Sequence, residues 1–441
     1  MPNRQHFALE AACGRQYNLT RTDVSCSENT MKKWVTRVIG TCMGIVLATA
    51  PAVAAETVSS TGLSASWDEG LRVSSSGGQC RFKIGGLLQA DWGWIDADAI
   101  ERDLGIRLDD DDEIRRARLY AKGQLRDGLD FKLQFDFAGP GEKLLDTYLR
   151  FGRVPLVGTL TVGRFKEPFS LDELTGSANT TFLERALPNA FVPSRNWGVM
   201  ARNTFSGERA TWALGVFKNV DDRFLGSSGQ GEVLALTGRV TWLPCYEADG
   251  RKLLHLGAAY SLRDPNSMVR FRARPEAHFT SVLADTGMFR ADWIHLVGAE
   301  AAWVSGPLSL QAEYVGAFTD ASAVGAPYLD GYYVQASYFL TGERRPYDRR
   351  TGVFGRVKPN RNFLSGGGWG AWEIAARYSC INLNDGMLPA SARRLEDITL
   401  GLNWYLNPNV KLMWNYVRAD VDGSDTNDAA DIFMMRVQLA F

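Results

Sequence analysis

Three arginines at alternate positions, Arg270, Arg272 and Arg274 in VRFRARPE, are the densest piece of chemistry in this sequence. On an extended backbone alternate side chains share a face, so the three guanidinium groups form a ladder. Each presents a planar fork of N–H donors suited to the paired oxygens of phosphate or carboxylate. A second basic group, Arg115, Arg116, Arg118 and Lys122, lies in RRARLYAKGQL. A third lies in ERRPYDRRTGVFGRVKPNR, where Arg344, Arg345, Arg349, Arg350, Arg356, Lys358 and Arg361 outnumber Glu343 and Asp348. Groups of this kind draw anions in. Covalent chemistry has thinner support, because beyond residue 55 the histidines are His255, His278 and His295, none in a motif with Ser and an acid, as hydrolysis on a barrel wall would need. GGGWG (366–370) lacks the Lys-Ser of a phosphate loop. Cys80, Cys245 and Cys380 are far apart and odd in number, and give no disulfide framework or metal cluster. No catalytic residue, metal or cofactor is expected.

What positions the arginines is a sheet. From Ile114 onward Ala117, Leu119, Ala121, Gly123 and Leu125 share one face, and Arg116, Arg118, Tyr120, Lys122 and Gln124 the other. After the turn RDGLD the pattern resumes with Phe131, Leu133, Phe135 and Phe137 against Lys132, Gln134 and Asp136, then with Leu145, Thr147, Leu149 and Phe151 against Asp146, Tyr148 and Arg150. One face suits lipid and the other water. A sheet with those faces crosses a membrane only if it closes on itself. Sixteen such runs fit the chain, from Phe82–Trp94 to a last strand carrying Phe433, Met435, Val437, Leu439 and the terminal Phe441. The expectation is an all-β, sixteen-stranded antiparallel transmembrane barrel with loops folded into an aqueous lumen.

The even count puts both ends of the barrel in the periplasm. RDGLD, Ser206 to Arg209, Val304 to Pro307 and Asn407 to Val410 become tight periplasmic turns, while 166–196 and 263–294 become the third and fifth external loops. The long connection 341–370 is the exception, on the periplasmic side. Inward Arg118, Lys122, Lys132 and Arg150 have Asp136, Asp146, Glu300, Glu313 and Glu373 available as bracing partners.

A leader fixes the compartment. Met31-Lys32-Lys33, an apolar run from Val38 to Ala50 and Ala52-Val53-Ala54 form a secretory signal, with cleavage after Ala54 or Ala55. Residues 1–30 read as an extension before the true initiator, 31–54 as the signal peptide, 55–79 as a periplasmic N-terminal arm and 80–441 as the barrel. Near-equal charge, 49 basic against 50 acidic residues, and the leader disfavour nucleic acid. A mean hydropathy of −0.18 is too low for a helical membrane protein.

Several stretches together resemble the phosphate-selective porin O and P family: RRARLYAKGQL with DFKLQFDFAG, DTYLRF, LTVGRFKEPFSLDELTGSANTTFLERALPNAF, RFRARPEAH, YFLTGERRPYD with GVFGRVKP, GAWEIAARYS and GLNWYLNPNVKLMWNY. The resemblance implies a homotrimer of sixteen-stranded barrels in the outer membrane of a Gram-negative bacterium, each a passive channel for inorganic phosphate, polyphosphate or other small anions. It makes Arg115, Arg116, Arg270, Arg272 and Arg274 the anion pathway, and Lys166, Arg185, Lys358 and Asp146 the constriction candidates. Phe441 would be read by the barrel assembly machinery, and the outer face would meet outer-membrane lipid. TGSANTT carries no lysine and Lys166 lies before it, which separates anion preference from phosphate preference. A general or carboxylate-preferring porin is the alternative, and an outer-membrane barrel hydrolase a remote one.

Overall fold

Sustained alternation gives a chain two faces and no helical stripe, and the backbone satisfies its hydrogen bonds between neighbouring strands. The computed structural model describes residues 62–441 except 68, 76–79, 127, 220–232, 266, 365–366, 390, 392 and 423–427. The extension 1–30, the leader 31–54 and the first part of the arm lie outside the described residues. Among the described residues, sixteen antiparallel strands form a closed barrel. They are β1 (Arg81–Asp96), β2 (Asp111–Arg126), β3 (Leu129–Asp136), β4 (Lys143–Val154), β5 (Gly158–Lys166), β6 (Arg195–Phe205), β7 (Ala210–Asn219) and β8 (Val233–Glu247). The circuit continues through β9 (Lys252–Asp264), β10 (Trp293–Ser305), β11 (Leu308–Asp320), β12 (Tyr328–Phe339), β13 (Ala371–Asn382), β14 (Arg394–Tyr405), β15 (Val410–Val421) and β16 (Asp428–Ala440). Pairing of β16 with β1, from Asp431↔Asp96 to Ala440↔Leu87, closes it and leaves no edge exposed to lipid.

Leu119, Leu133, Val199, Leu214, Val240, Leu310 and Leu400 are exposed on the outer face, while Arg116, Asp136, Arg239, Glu300, Glu313 and Arg436 are buried inside. Exposed aromatics form two belts, one with Trp92, Trp94, Trp293 and Phe318 towards the loop end, one with Phe151, Phe205, Trp242 and Trp303 towards the terminal end, where β1 begins and β16 stops. At that terminal end a short hairpin, Leu63–Trp67 with Leu71–Ser75, pairs with β1 below the point where β16 stops. Trp67 stacks on Phe441, whose backbone exchanges hydrogen bonds with Gly86.

The inner wall departs from an ionic lining. Ile294, Leu296, Val315, Ala317, Leu329, Ile381, Leu395, Val417 and Ile432 point inward from β10–β16 and pack against Phe169, Leu187, Phe191 and Phe271 of the third loop (167–194) and fifth loop (265–292). Both loops descend into the barrel there, so protein replaces water against this half of the wall and apolar side chains are favoured. Glycines make room for them: a Cβ on Gly298 would stand 3.0 Å from the Phe169 ring, and one on Gly401 3.2 Å from Phe182. From the opposite end the long connection (340–370) sends a hairpin, Tyr347–Asp348 with Val353–Phe354, up to Leu171 of the third loop.

Candidate permeation pathway

A bulge aims the first pair of arginines. Gln89 pairs with Arg116 and Ala90 with Ile114, so Arg115 is an extra residue in β2. Such an insertion redirects a side chain, and here Arg115 and Arg116 approach the same carboxylate although they are neighbours in a strand. Arg115 donates through Nε and Nη2 to Glu184 at 2.7 and 2.9 Å. Arg116 lies 3.7 Å from Glu184 and donates to Gln89 at 2.7 Å. Arg436 of β16 also reaches Glu184, at 2.9 Å, and holds Asp91 with two bonds of 2.6 Å.

Glu184 belongs to the third loop, which crosses the lumen strapped to the far wall. Successive carbonyls accept from wall side chains: Ser177 from Gln89 (3.2 Å), Ala178 from Gln438 (3.1 Å), Thr180 from Lys411 (2.7 Å), Thr181 from Asn403 (2.8 Å) and Glu184 from Arg377 (3.0 Å). The near end is held by Glu313 of β11, whose carboxyl accepts from the backbone N–H groups of Leu171 (3.0 Å) and Asp172 (2.7 Å). Those residues open a short helix, Leu171–Leu174, capped by Ser170, which sits at φ 66° and ψ 129°. A non-glycine residue holds that conformation only where its surroundings over-determine it. The fifth loop is fastened likewise: Glu276 meets Arg377 (Nε at 2.9 Å), Ser379 and Thr399 on the inner wall.

The expected pathway residues fall into two groups. Arg270, Arg272 and Arg274 alternate with buried Phe271 and Ala273 and so share a face, but Arg270 is clamped on Asp285 at 2.8 Å while Arg272 and Arg274 stay exposed. Arg274 lies within electrostatic reach of Arg272, Glu113 and Arg115, which joins the loop triplet to the β2 pair. Of the constriction candidates, Lys166 is 3.3 Å from Glu173. Arg185 donates to the carbonyls of Asp172, Glu173 and Thr175 at 2.9–3.0 Å, so it braces the third loop from within. Asp146 is clasped by Lys132 and Arg195, each at 2.5 Å. Lys358 lies elsewhere, 2.7 Å from Glu69 beside the N-terminal hairpin and largely exposed.

Three of the long connection's arginines clamp acids of the terminal-end turns, Arg344 on Asp249 and Arg349 and Arg350 on Glu208. Bracing takes Arg118, 2.7 Å from Asp136, and Lys132. Arg150 is different. It donates to Tyr148 Oη at 3.2 Å, its guanidinium lies 5.0 Å over that ring, and its Nε is buried without a partner among the described residues.

Beneath the third loop remains a cavity of about 250 Å³ bounded by β4–β8, the start of that loop and the hairpin of the long connection. Its lining includes Arg150, Lys166, Arg202, Arg239 and Arg350 but a single carboxylate, Asp146. The Arg202 guanidinium has no hydrogen bond or ion pair among the described residues. Inward parity reveals Arg202, yet nothing in the sequence says that it keeps no partner. Glu184, Arg195 and Arg436 also escaped the sequence reading. Glu184 and Arg195 belong to the third loop and its exit, where alternation has stopped, and Arg436 is legible only as one inward residue of the last strand.

A closed barrel with lipid-facing aromatic belts, and with a charged interior narrowed by its own loops, is an outer-membrane porin. Within that class the chain belongs to the phosphate-selective porin O and P family, whose profile matches residues 82–441. It is 29% identical over 422 residues to Porin O of Pseudomonas aeruginosa, covering 84% of this chain and 91% of that one. To an uncharacterized protein of Caulobacter vibrioides it is 33% identical over 324 residues, 70% of this chain but 62% of that one, under two thirds of its length. Among solved structures, the anion-selective porin from Comamonas acidovorans superposes with a TM-score of 0.50 at 13% identity, covering 82% of this chain and all of that one. OmpT of Vibrio cholerae does so with a TM-score of 0.50 at 12% identity, covering 82% and 98%. At such identities the likeness concerns the fold. The protein is therefore a porin of the outer membrane of a Gram-negative bacterium.

Proposed function

We propose that this porin is a passive anion channel whose preferred cargo is phosphate or polyphosphate. The observation that carries the reading is a relay of cations within electrostatic reach of one another, Arg274 with Arg115, Arg115 with Arg118 and Arg118 with Arg195, ending at the cavity where Arg150 and Arg202 have no acid partner. Fixed charge of one sign along a pore sorts ions by charge, and guanidinium forks favour tetrahedral and planar oxyanions over chloride. The channel acts as a homotrimer, each protomer with its own pore, and Phe441 at the barrel seam is the feature read by the assembly machinery.

A second reading, a carboxylate-preferring porin, is favoured by one contact. The ladder residue Arg115 already grips a carboxylate, that of Glu184, with both prongs. Planar bilayers separate the two. The phosphate reading expects chloride-selective current blocked by phosphate and pyrophosphate at concentrations about tenfold below those of acetate or succinate, and the reverse order supports the carboxylate reading. Selectivity for potassium over chloride contradicts both.

A further inference from the structure

The cavity beneath the third loop is charged on one side and apolar on another. Arg150 and Arg202 stand two strands apart on β4 and β6, on either side of Thr159 and Thr161 of β5. Around them the lining includes Phe165, Pro168, Leu174, Met200 and Val353. A hydrated inorganic ion gains nothing from such a surface, whereas a carbon skeleton gains in proportion to the apolar area it covers. We propose that this cavity is a binding subsite for small organic anions, monophosphate esters or aromatic acids, whose anionic head meets Arg150 and Arg202 while the carbon body lies against Leu174, Met200 and Val353. The proposal rests on the anion-channel reading and adds small organic anions to its cargo.

Charge availability supports it first. The other charged groups of the lining are engaged: Arg239 with Glu300 at 2.5 Å, Arg350 with Glu208 at 2.8 Å, Lys166 with Glu173 at 3.3 Å, and Asp146 with Lys132 and Arg195. Arg150 and Arg202 therefore remain to meet an incoming anion, and Arg150 is already oriented by its stacking on Tyr148. Size comes next. A volume of about 250 Å³ lies below the range of pockets for drug-sized ligands, roughly 300–1,000 Å³, and suits one ring with one anionic group. Position comes last, since the cavity lies beside the point where the start of the third loop meets the hairpin of the long connection, and both contribute to its lining.

Block of chloride current by inorganic phosphate and by phenyl phosphate, measured on the purified full-length protein in planar bilayers, tests the assignment. Phenyl phosphate is expected to half-block at a concentration about tenfold lower than phosphate, a difference of about 1.4 kcal/mol. Val353→Asn should cut that ratio below about twofold by removing apolar contact, and Arg202→Ala should raise the half-blocking concentration of phenyl phosphate about fivefold or more. If phenyl phosphate blocks the unaltered protein no better than phosphate, the subsite is refuted while the anion channel stands. If neither blocks and chloride is not preferred over potassium, the anion reading itself falls.

Discussion

Glu184 is the residue on which the upper pathway turns. It sits among Arg115, Arg116 and Arg436, with Asp91 and Glu113 as other nearby acids, so it behaves as a resident anion in a site built for passing ones. Charge-assisted bonds of this kind contribute about 1.5–3 kcal/mol each, which a permeating phosphate must compete against. Replacing Glu184 by Gln keeps the shape and one acceptor but removes the charge. Phosphate should then half-block at a concentration about five- to tenfold lower, in step with the affinity scale of 1.4 kcal/mol per decade. The variant's unheated gel mobility reports whether the barrel still forms. An unchanged or weaker block in a folded variant would make Glu184 a strap for the third loop and nothing more. Arg270, held by Asp285, should matter less to conduction than Arg272 or Arg274, a division that the even spacing of the three conceals.

At the scale of elements, the third loop decides how wide the passage is, and Glu313 decides where the loop starts. Its carboxyl takes both Leu171 and Asp172 N–H groups, and Tyr333 donates to it at 2.6 Å. With Glu313→Ala two buried donors lose their acceptor at about 1–3 kcal/mol each, enough to release the strained turn at Ser170. Single-channel recording should then show a larger and noisier conductance, and a steady, unchanged conductance would mean that the far-wall straps hold the loop alone. The strands themselves were legible because a period of two, carried through Leu119, Leu133 and Leu149 outside and Arg118, Lys132 and Arg150 inside, has one physical solution between lipid and water. The loops were not. Leu296, Val315, Val417 and Ile432 are apolar on the inner face, and nothing local distinguishes a residue facing water from one facing Phe169 or Phe271 of a loop that arrives from far along the chain. The bulge at Arg115 was hidden likewise, since an inserted residue breaks pairing that only the partner strand records.

For the whole molecule, selectivity cannot come from overall charge, because the chain carries a formal net charge of −1. It must come from where charges lie: arginines and lysines outnumber acids on the inner faces of β2–β6, while acids sit in the third loop and, as Glu300, Glu313, Glu373 and Asp397, on the inner wall of β10–β14. A field made by such a distribution acts over a Debye length, about 10 Å at 0.1 M salt and about 3 Å at 1 M. Direct contacts to a bound oxyanion, at roughly 2.7–3.2 Å, are about as short as even the smaller length and leave no room for a screening ion between the partners. The two contributions should therefore part company as salt is raised. The chloride-to-potassium permeability ratio is expected to fall severalfold between 0.1 and 1 M KCl, while block by phosphate weakens but persists, since forks such as those of Arg150 and Arg202 act at contact. Reversal potentials under a salt gradient measure the first, and half-blocking concentrations at each ionic strength the second. Loss of both together at 1 M would leave diffuse attraction as the whole basis of selectivity, and a ratio indifferent to salt would mean that pore width, with no help from the basic wall, sorts the ions.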